Sequence, residues 1–261
     1  MEKELYLIGN LKMNMDKATL TKHLKEIKKR AKGVNNHVGI CVPYIYLPLA
    51  QKILGKSNVL YGAQNVHELE SGTFTGEISA EMLNDYNCDM VIIGHSERRA
   101  NYNETDEKVN LKLLKTLSSN LVPIVCFGES YEERVAGKTN DVIKNQLTKA
   151  LKDVKVEDLT SIIFAYEPIW AISAGKDADP NKPRTATKEQ AEEAVAKAKE
   201  IICKLFKLKS TDMIVVLYGG SMNDKNAQEL LSMPSIDGGL IGGACLNIDK
   251  FSTVFTTKVE K

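Results

Sequence analysis

Long apolar runs are missing from this 261-residue chain, and none approaches the roughly 20 residues that a membrane span needs. Charge of one sign is missing too. Against 35 basic residues stand 34 acidic ones, a formal net charge of +1, which argues against nucleic acid or an anionic membrane as the main partner. The five cysteines (Cys41, Cys88, Cys126, Cys203, Cys245) are odd in number, scattered and without CxxC spacing. Several sit inside apolar runs and read as small core residues, which points to a reduced, cytoplasmic setting. No His/Asp/Glu cluster has metal-ligand spacing. The GxGxxG fingerprint of a dinucleotide fold is absent, and no Pro, Gly or Ser-rich linker divides the chain. Met1-Glu2-Lys3-Glu4 is polar and runs straight into a short strand, so no signal peptide is expected.

What the chain does have is repetition. Short runs rich in Val, Ile or Leu recur at Leu5 to Gly9, Val38 to Val42, Val59 to Ala63, Met90 to Ile93, Val122 to Cys126, Ile162 to Ala165, Met213 to Leu217 and Gly239 to Ile241. They lack clean polar alternation, as strands covered on both faces do. Amphipathic segments lie between them. Ile143, Leu147, Ala150, Leu151 and Val154 share one helical face, and Ala191, Ala194, Val195, Ala198, Ile202 and Leu205 share another. Thr187 and Gln190 have the spacing of a capping box. The basic stretch Lys25 to Arg30 alternates with apolar positions and reads as a solvated helix face. Eight strand–helix repeats in this length favour an α/β fold, a closed (β/α)8 barrel forming a single domain over residues 1–261, with an open doubly wound sheet as the alternative. The polar segment Asp177 to Thr185, with two prolines, reads as an exposed loop.

Such barrels draw their chemistry from the carboxyl ends of the strands. Glu167 follows the sixth run, and Pro168 forces it out of helical geometry. A rigidly placed carboxylate followed by a small-residue loop suits a base that water must be kept from; alone, it reads equally well as a solvated strand-end carboxylate. Lys12 follows the first run, where an inward-pointing cation is the alternative to a surface lysine. His95 follows the fourth, at the first turn of a predicted helix, where the dipole disfavours the imidazolium. Gly219-Gly220-Ser221 and Gly242-Gly243 follow the last two strands, where barrels often bind phosphate.

Taken in order, six motifs spread over essentially the whole chain resemble the triosephosphate isomerase family. They are NLKMN from Asn10, GTFTGE from Gly72, GHSERR from Gly94, AYEPIWAI from Ala165, YGGS from Tyr218 and DGGLIGGACL from Asp237. The resemblance implies an isomerase that works through an enediolate on a triose phosphate, without cofactor or metal. Glu167 would move the proton, neutral His95 would polarise the carbonyl, Lys12 would supply fixed positive charge, and Glu97 would orient Lys12 and His95. Asn10 would contact substrate, while Ser173, Ser221, Gly242 and Gly243 would hold the phosphate. Thr75 would reach into a partner subunit, making the protein a homodimer. A paralogue acting on a tetrulose phosphate and a barrel that has lost catalysis are the alternatives; retention of Lys12, His95, Glu97 and Glu167 together argues against the second.

The chain departs from the family pattern in a few places. Leu11 stands where tryptophan is usual, Ser173-Ala174 replaces Gly-Thr at the lid tip, Lys199 replaces a commoner arginine and is expected to pair with Asp237, and Asp177 to Thr185 is extra. Extra exposed loop costs little stability, because closure entropy grows slowly with length. Deleting Asp177 to Thr185 is therefore expected to change turnover more than the thermal unfolding midpoint; equal initial rates with and without it would contradict this.

Overall fold

Eight parallel strands close on themselves in chain order, β1 (Tyr6–Asn10), β2 (His37–Val42), β3 (Leu60–Ala63), β4 (Met90–Ile93), β5 (Val122–Phe127), β6 (Ile163–Tyr166), β7 (Val215–Tyr218) and β8 (Gly238–Ile241), with β8 pairing back onto β1. The structure is a computed structural model that describes residues 2–172 and 185–260. Ten helices lie between and after the strands among the described residues: α1 (Lys17–Arg30), α2 (Leu47–Leu54), α3 (Ala80–Asn84), α4 (Ser96–Tyr102), α5 (Asp106–Ser118), α6 (Tyr131–Val135), α7 (Thr139–Ala150), α8 (Lys188–Leu205), α9 (Ala227–Leu231) and α10 (Ile248–Phe255). No helix among the described residues is long and apolar enough to cross a membrane.

Two apolar layers follow from strands buried on both faces. Ile8, Cys41, Ile92, Ile124, Cys126, Leu217 and Leu240 fill the barrel interior. Leu7, Val38, Val91, Val125, Phe164 and Val216 pack outward with the buried helix faces. Leu11 joins that outer layer and is fully buried. Four of the five cysteines are buried and all are free thiols.

The sequence periodicity describes the long helices well. Ile143, Leu147 and Ala150 of α7 are buried, as are Ala191, Ala194, Val195, Ala198 and Ile202 of α8. The capping box also forms: the Gln190 N–H donates to Thr187 Oγ1 at 3.2 Å and the Thr187 N–H to Gln190 Oε1 at 3.0 Å. Lys199 pairs with Asp237, Nζ to Oδ2 at 2.6 Å, tying α8 to the start of β8.

Two expectations need correction. Leu205 is exposed: it ends α8, and Phe206 and Leu208 pack against the core instead. The seventh strand starts at Val215, two residues after Met213, because the Ile214 N–H is taken by Thr211 O at 2.9 Å in a turn that leaves Met213 outside the ladder.

Candidate active site

Glu167 continues the line of β6 by one residue, its N–H donating to Phe127 O at 2.7 Å. The neighbouring strand end must be glycine there, since a Cβ on Gly128 would collide with the Glu167 carbonyl. The side chain is 2% exposed. Its Oε1 lies 2.9 Å from His95 Nε2, and its Oε2 accepts from the Ser96 N–H at 2.8 Å. Burial alone would raise the pKa of this carboxyl, but His95, the Ser96 N–H and Lys12 outweigh it and hold the group below the ordinary carboxylate value. It is an ionised, dry carboxylate.

His95 caps α4. Gly94 takes a left-handed turn (φ 70) that carries the chain out of β4, and the Arg98 and Arg99 N–H groups both donate to His95 O, at 2.8 and 3.1 Å. The Glu97 N–H donates to Nδ1 at 3.2 Å, so the ring presents its hydrogen at Nε2, toward Glu167. Burial pulls the imidazole pKa down, while contact with the Glu167 carboxylate raises it by more. The donor at Nδ1 opposes a second proton, because that proton would face an N–H.

Lys12 sits in a left-handed conformation (φ 53) that a lysine rarely adopts. Two side chains hold it there: Asn10 Oδ1 accepts the Lys12 N–H at 3.0 Å, and Gln64 Nε2 donates to Lys12 O at 3.0 Å. Strain of this kind persists only where the surroundings impose it. The ammonium pairs with Glu97 Oε1. It also lies near Gly242, where an added Cβ would fall 3.5 Å from Lys12 Cε.

These groups share one cavity of about 420 Å³, lined by Asn10, Lys12, His95, Glu167, Ser221, Gly242 and Gly243 among others. A Cβ on Gly243 would meet nothing, so this wall stays open. The Ser221 N–H donates to Ala171 O at 3.0 Å, joining the loop after β7 to the turn that follows Glu167. Glu97 lines an adjoining groove with Lys12 and His95. Thr75 is exposed in the loop after β3 and lines neither cavity. Ser173, Ala174 and most of the segment Asp177 to Thr185 lie outside the described residues. Among the described residues no group of three or more His, Cys, Asp or Glu could hold a metal.

Sequence reasoning missed two buried carboxylates that support the site. Glu129, with no exposure, accepts from Tyr166 Oη and Trp170 Nε1 at 3.0 Å each and from Arg134 Nη1 at 3.1 Å. It brackets Glu167 from both sides in sequence. Its signal was its place just past a strand end, the rule already applied to Glu167. Glu104 accepts from the Gly94 N–H at 2.9 Å, from Arg98 Nε at 2.9 Å and from buried Lys112 Nζ at 2.6 Å. A lysine on the apolar face of α5 was the available clue.

The chain is similar to known proteins over nearly its whole length. A family profile described as "Triosephosphate isomerase" matches residues 5–258. The chain is 42% identical over 245 residues to a triosephosphate isomerase of Alkaliphilus metalliredigens, covering 94% of this chain and 96% of the relative. It is 41% identical over 254 residues to that of Acetivibrio thermocellus, covering 97% and 98%. A crystal structure of triosephosphate isomerase from Bartonella henselae superposes with a TM-score of 0.85 at 36% identity, over 96% of this chain and 97% of that one.

Burial pushes the Glu104 carboxyl up, but Lys112 and Arg98 more than offset it and lower its pKa. The stability this lowering supplies is present above the ordinary carboxylate pKa and is lost as pH falls through the lower folded-state value. Glu104→Gln is expected to cost about 3 kcal/mol at neutral pH, because Lys112 is left without a counter-charge. Urea unfolding across the acid range should then show a shallower loss of stability than in the wild type; parallel curves would contradict this.

Proposed function

The chain belongs to the triosephosphate isomerase family and interconverts dihydroxyacetone phosphate and D-glyceraldehyde 3-phosphate; from that premise we propose that Glu167, His95 and Lys12 carry the reaction. The observation that carries this reading is the 2.9 Å contact between Glu167 and His95 in a cavity that also reaches Gly242 and Gly243. The Glu167 carboxylate takes a proton from the carbon beside the carbonyl. The C–H electron pair becomes the double bond of the enediolate, and the carbonyl oxygen takes the negative charge. His95 Nε2–H gives its proton to that oxygen and regains one from the hydroxyl on the carbon that was deprotonated, whose oxygen becomes the new carbonyl; Glu167 returns its proton to the former carbonyl carbon, so neither electrons nor protons are lost overall.

To act, Glu167 has to release His95. That release removes the influence that raises the imidazole pKa and leaves a neutral donor, as suits stabilising an oxyanion without surrendering the proton early. This family is itself the standard example of a glutamate base working beside a histidine kept neutral by a helix N-terminus. Lys12 adds fixed charge toward the enediolate and the phosphate, Glu97 orients it, and Asn10 contacts substrate. The phosphate lies against Ser221, Gly242 and Gly243 on this reading; Ser173, the remaining contact that the family resemblance implies, is outside the described residues. None of the comparisons points to a tetrulose phosphate.

We also read the protein as a single-domain, cytoplasmic homodimer of glycolysis and gluconeogenesis. What supports the dimer is the adjoining groove of about 260 Å³. Its rim carries the exposed apolar side chains Met13 and Tyr102, and Tyr44, which also lines it, has a buried hydroxyl that makes no hydrogen bond among the described residues. A loop such as that of Thr75 from a second copy would cover these groups beside Lys12 and His95.

Glu167→Gln should lower kcat by about 10²- to 10⁴-fold, the usual share of a general base, in initial-rate isomerisation of glyceraldehyde 3-phosphate. A variant within tenfold of wild type would remove Glu167 from the mechanism. Light scattering at assay concentration should give the mass of two chains; a fully active monomer would overturn the dimer.

A further inference from the structure

The catalytic cavity extends past the groups that the mechanism uses. Beyond Ser221, Gly242 and Gly243 its wall continues through Asn223, Asp224, Lys225, Asn247 and Lys250. Lys225 lies in the loop after β7. Its N–H donates to Asn223 Oδ1 at 2.9 Å, the Asn223 N–H donates to Asn226 Oδ1 at 2.8 Å, and Asn226 Nδ2 donates to Ser221 O at 2.9 Å. This turn ties the backbone of Lys225 to Ser221. Lys250 lies past β8, in the first turn of α10, where its N–H donates to Asn247 Oδ1 at 3.1 Å. The Asn247 N–H donates in turn to Ala244 O at 3.2 Å, the residue after Gly243.

Both lysine side chains are exposed, and neither enters an ion pair among the described residues. The deeper charges of the cavity are already engaged, Lys12 with Glu97 and Glu167 with His95. Asp249, the neighbour of Lys250 in sequence, is held by Arg30 Nη1 at 2.7 Å. Asp224 is the one described carboxylate of this wall left to oppose the two cations. A single exposed lysine is ordinarily just solvated. Two unpaired ones on one wall, each anchored to a turn that reaches the phosphate end, give the cavity a positive mouth. Clefts lined by one sign of charge concentrate their field because the protein walls are a poor dielectric.

We propose that Lys225 and Lys250 form a basic rim that draws the phosphate dianion of the substrate toward Ser221, Gly242 and Gly243, governing its capture and not the chemical step. This rests on the reading of that wall as the phosphate end of the site. Attraction between exposed charges is screened within about 10 Å at 0.1 M salt and about 3 Å at 1 M. The contribution of the rim therefore fades as salt rises, whereas contacts made inside the cavity persist.

The test uses the full chain, with glyceraldehyde 3-phosphate as substrate and inorganic phosphate as a competitive inhibitor, at rising sodium chloride. In the double variant Lys225→Gln, Lys250→Gln, kcat/KM at low salt should fall about tenfold, the lower end of what steering supplies, and the phosphate inhibition constant should rise. The change should fall on KM, with kcat moving no more than about twofold. At about 1 M salt the variant and the wild type should converge. Asp224→Asn should move both constants the opposite way at low salt, which a merely structural effect would not do. Parallel salt curves for variant and wild type, or an Asp224→Asn change in the same direction as the lysine changes, would overturn the proposal. Gly243→Val separates the two readings. If it weakens phosphate while the lysine variant does not, only the rim fails; if it leaves phosphate binding unchanged, the phosphate assignment fails and takes the rim with it.

Discussion

Removing a carboxylate from water costs several kcal/mol unless fixed donors replace the solvent, and Glu167 is almost wholly removed. Its two oxygens are met by the His95 ring and the Ser96 amide, both supplied by one strand end and the first turn of α4. The carboxylate's own backbone is pinned into the ladder beside β5. Held this way, the carboxylate is kept dry and ionised in its pairing with His95, the contact that the proposed mechanism requires it to exchange for substrate. The barrel matters because it brings β4 and β6 ends within hydrogen-bonding reach without either having to move.

The residues around the site extend the same solution outward. Glu104 grips Gly94, one residue before His95, and Glu129 grips Tyr166 and Trp170 on either side of Glu167. Both are carboxylates with little or no exposure, and both have cationic partners: Lys112 and Arg98 for Glu104, Arg134 for Glu129. Ion pairs of this sort are weak evidence for stability, since well-packed apolar groups often serve as well. Their location at two strand ends fits a role in fixing backbone that carries reactive side chains.

Much of this was legible in the residue order. The eight apolar runs marked the strands because both faces of a barrel strand are buried, and Lys12, His95, Glu167, Gly242 and Gly243 were found by looking where strands stop. Local patterns failed where long-range geometry decided. Met213 belongs to an apolar run but sits in a turn closed by Thr211 and Ile214. Leu205 fits the period of α8 but ends the helix, and Phe206 covers the core in its place. Glu104 and Lys112 are eight residues apart, and only folding shows that they are buried against each other.

The chain's single tryptophan occupies an informative place. Trp170 is buried, its indole N–H is held by Glu129, and the Arg134 guanidinium lies 4.7 Å from the ring centroid. It stands three residues past Glu167, in the short turn Ile169–Ala171. Ultraviolet emission excited in the indole band therefore comes from one spot, beside a cation and a hydrogen-bond acceptor that any motion of this turn must disturb. The protein carries its own optical reporter of events at the mouth of the barrel, without a label or an engineered substitution.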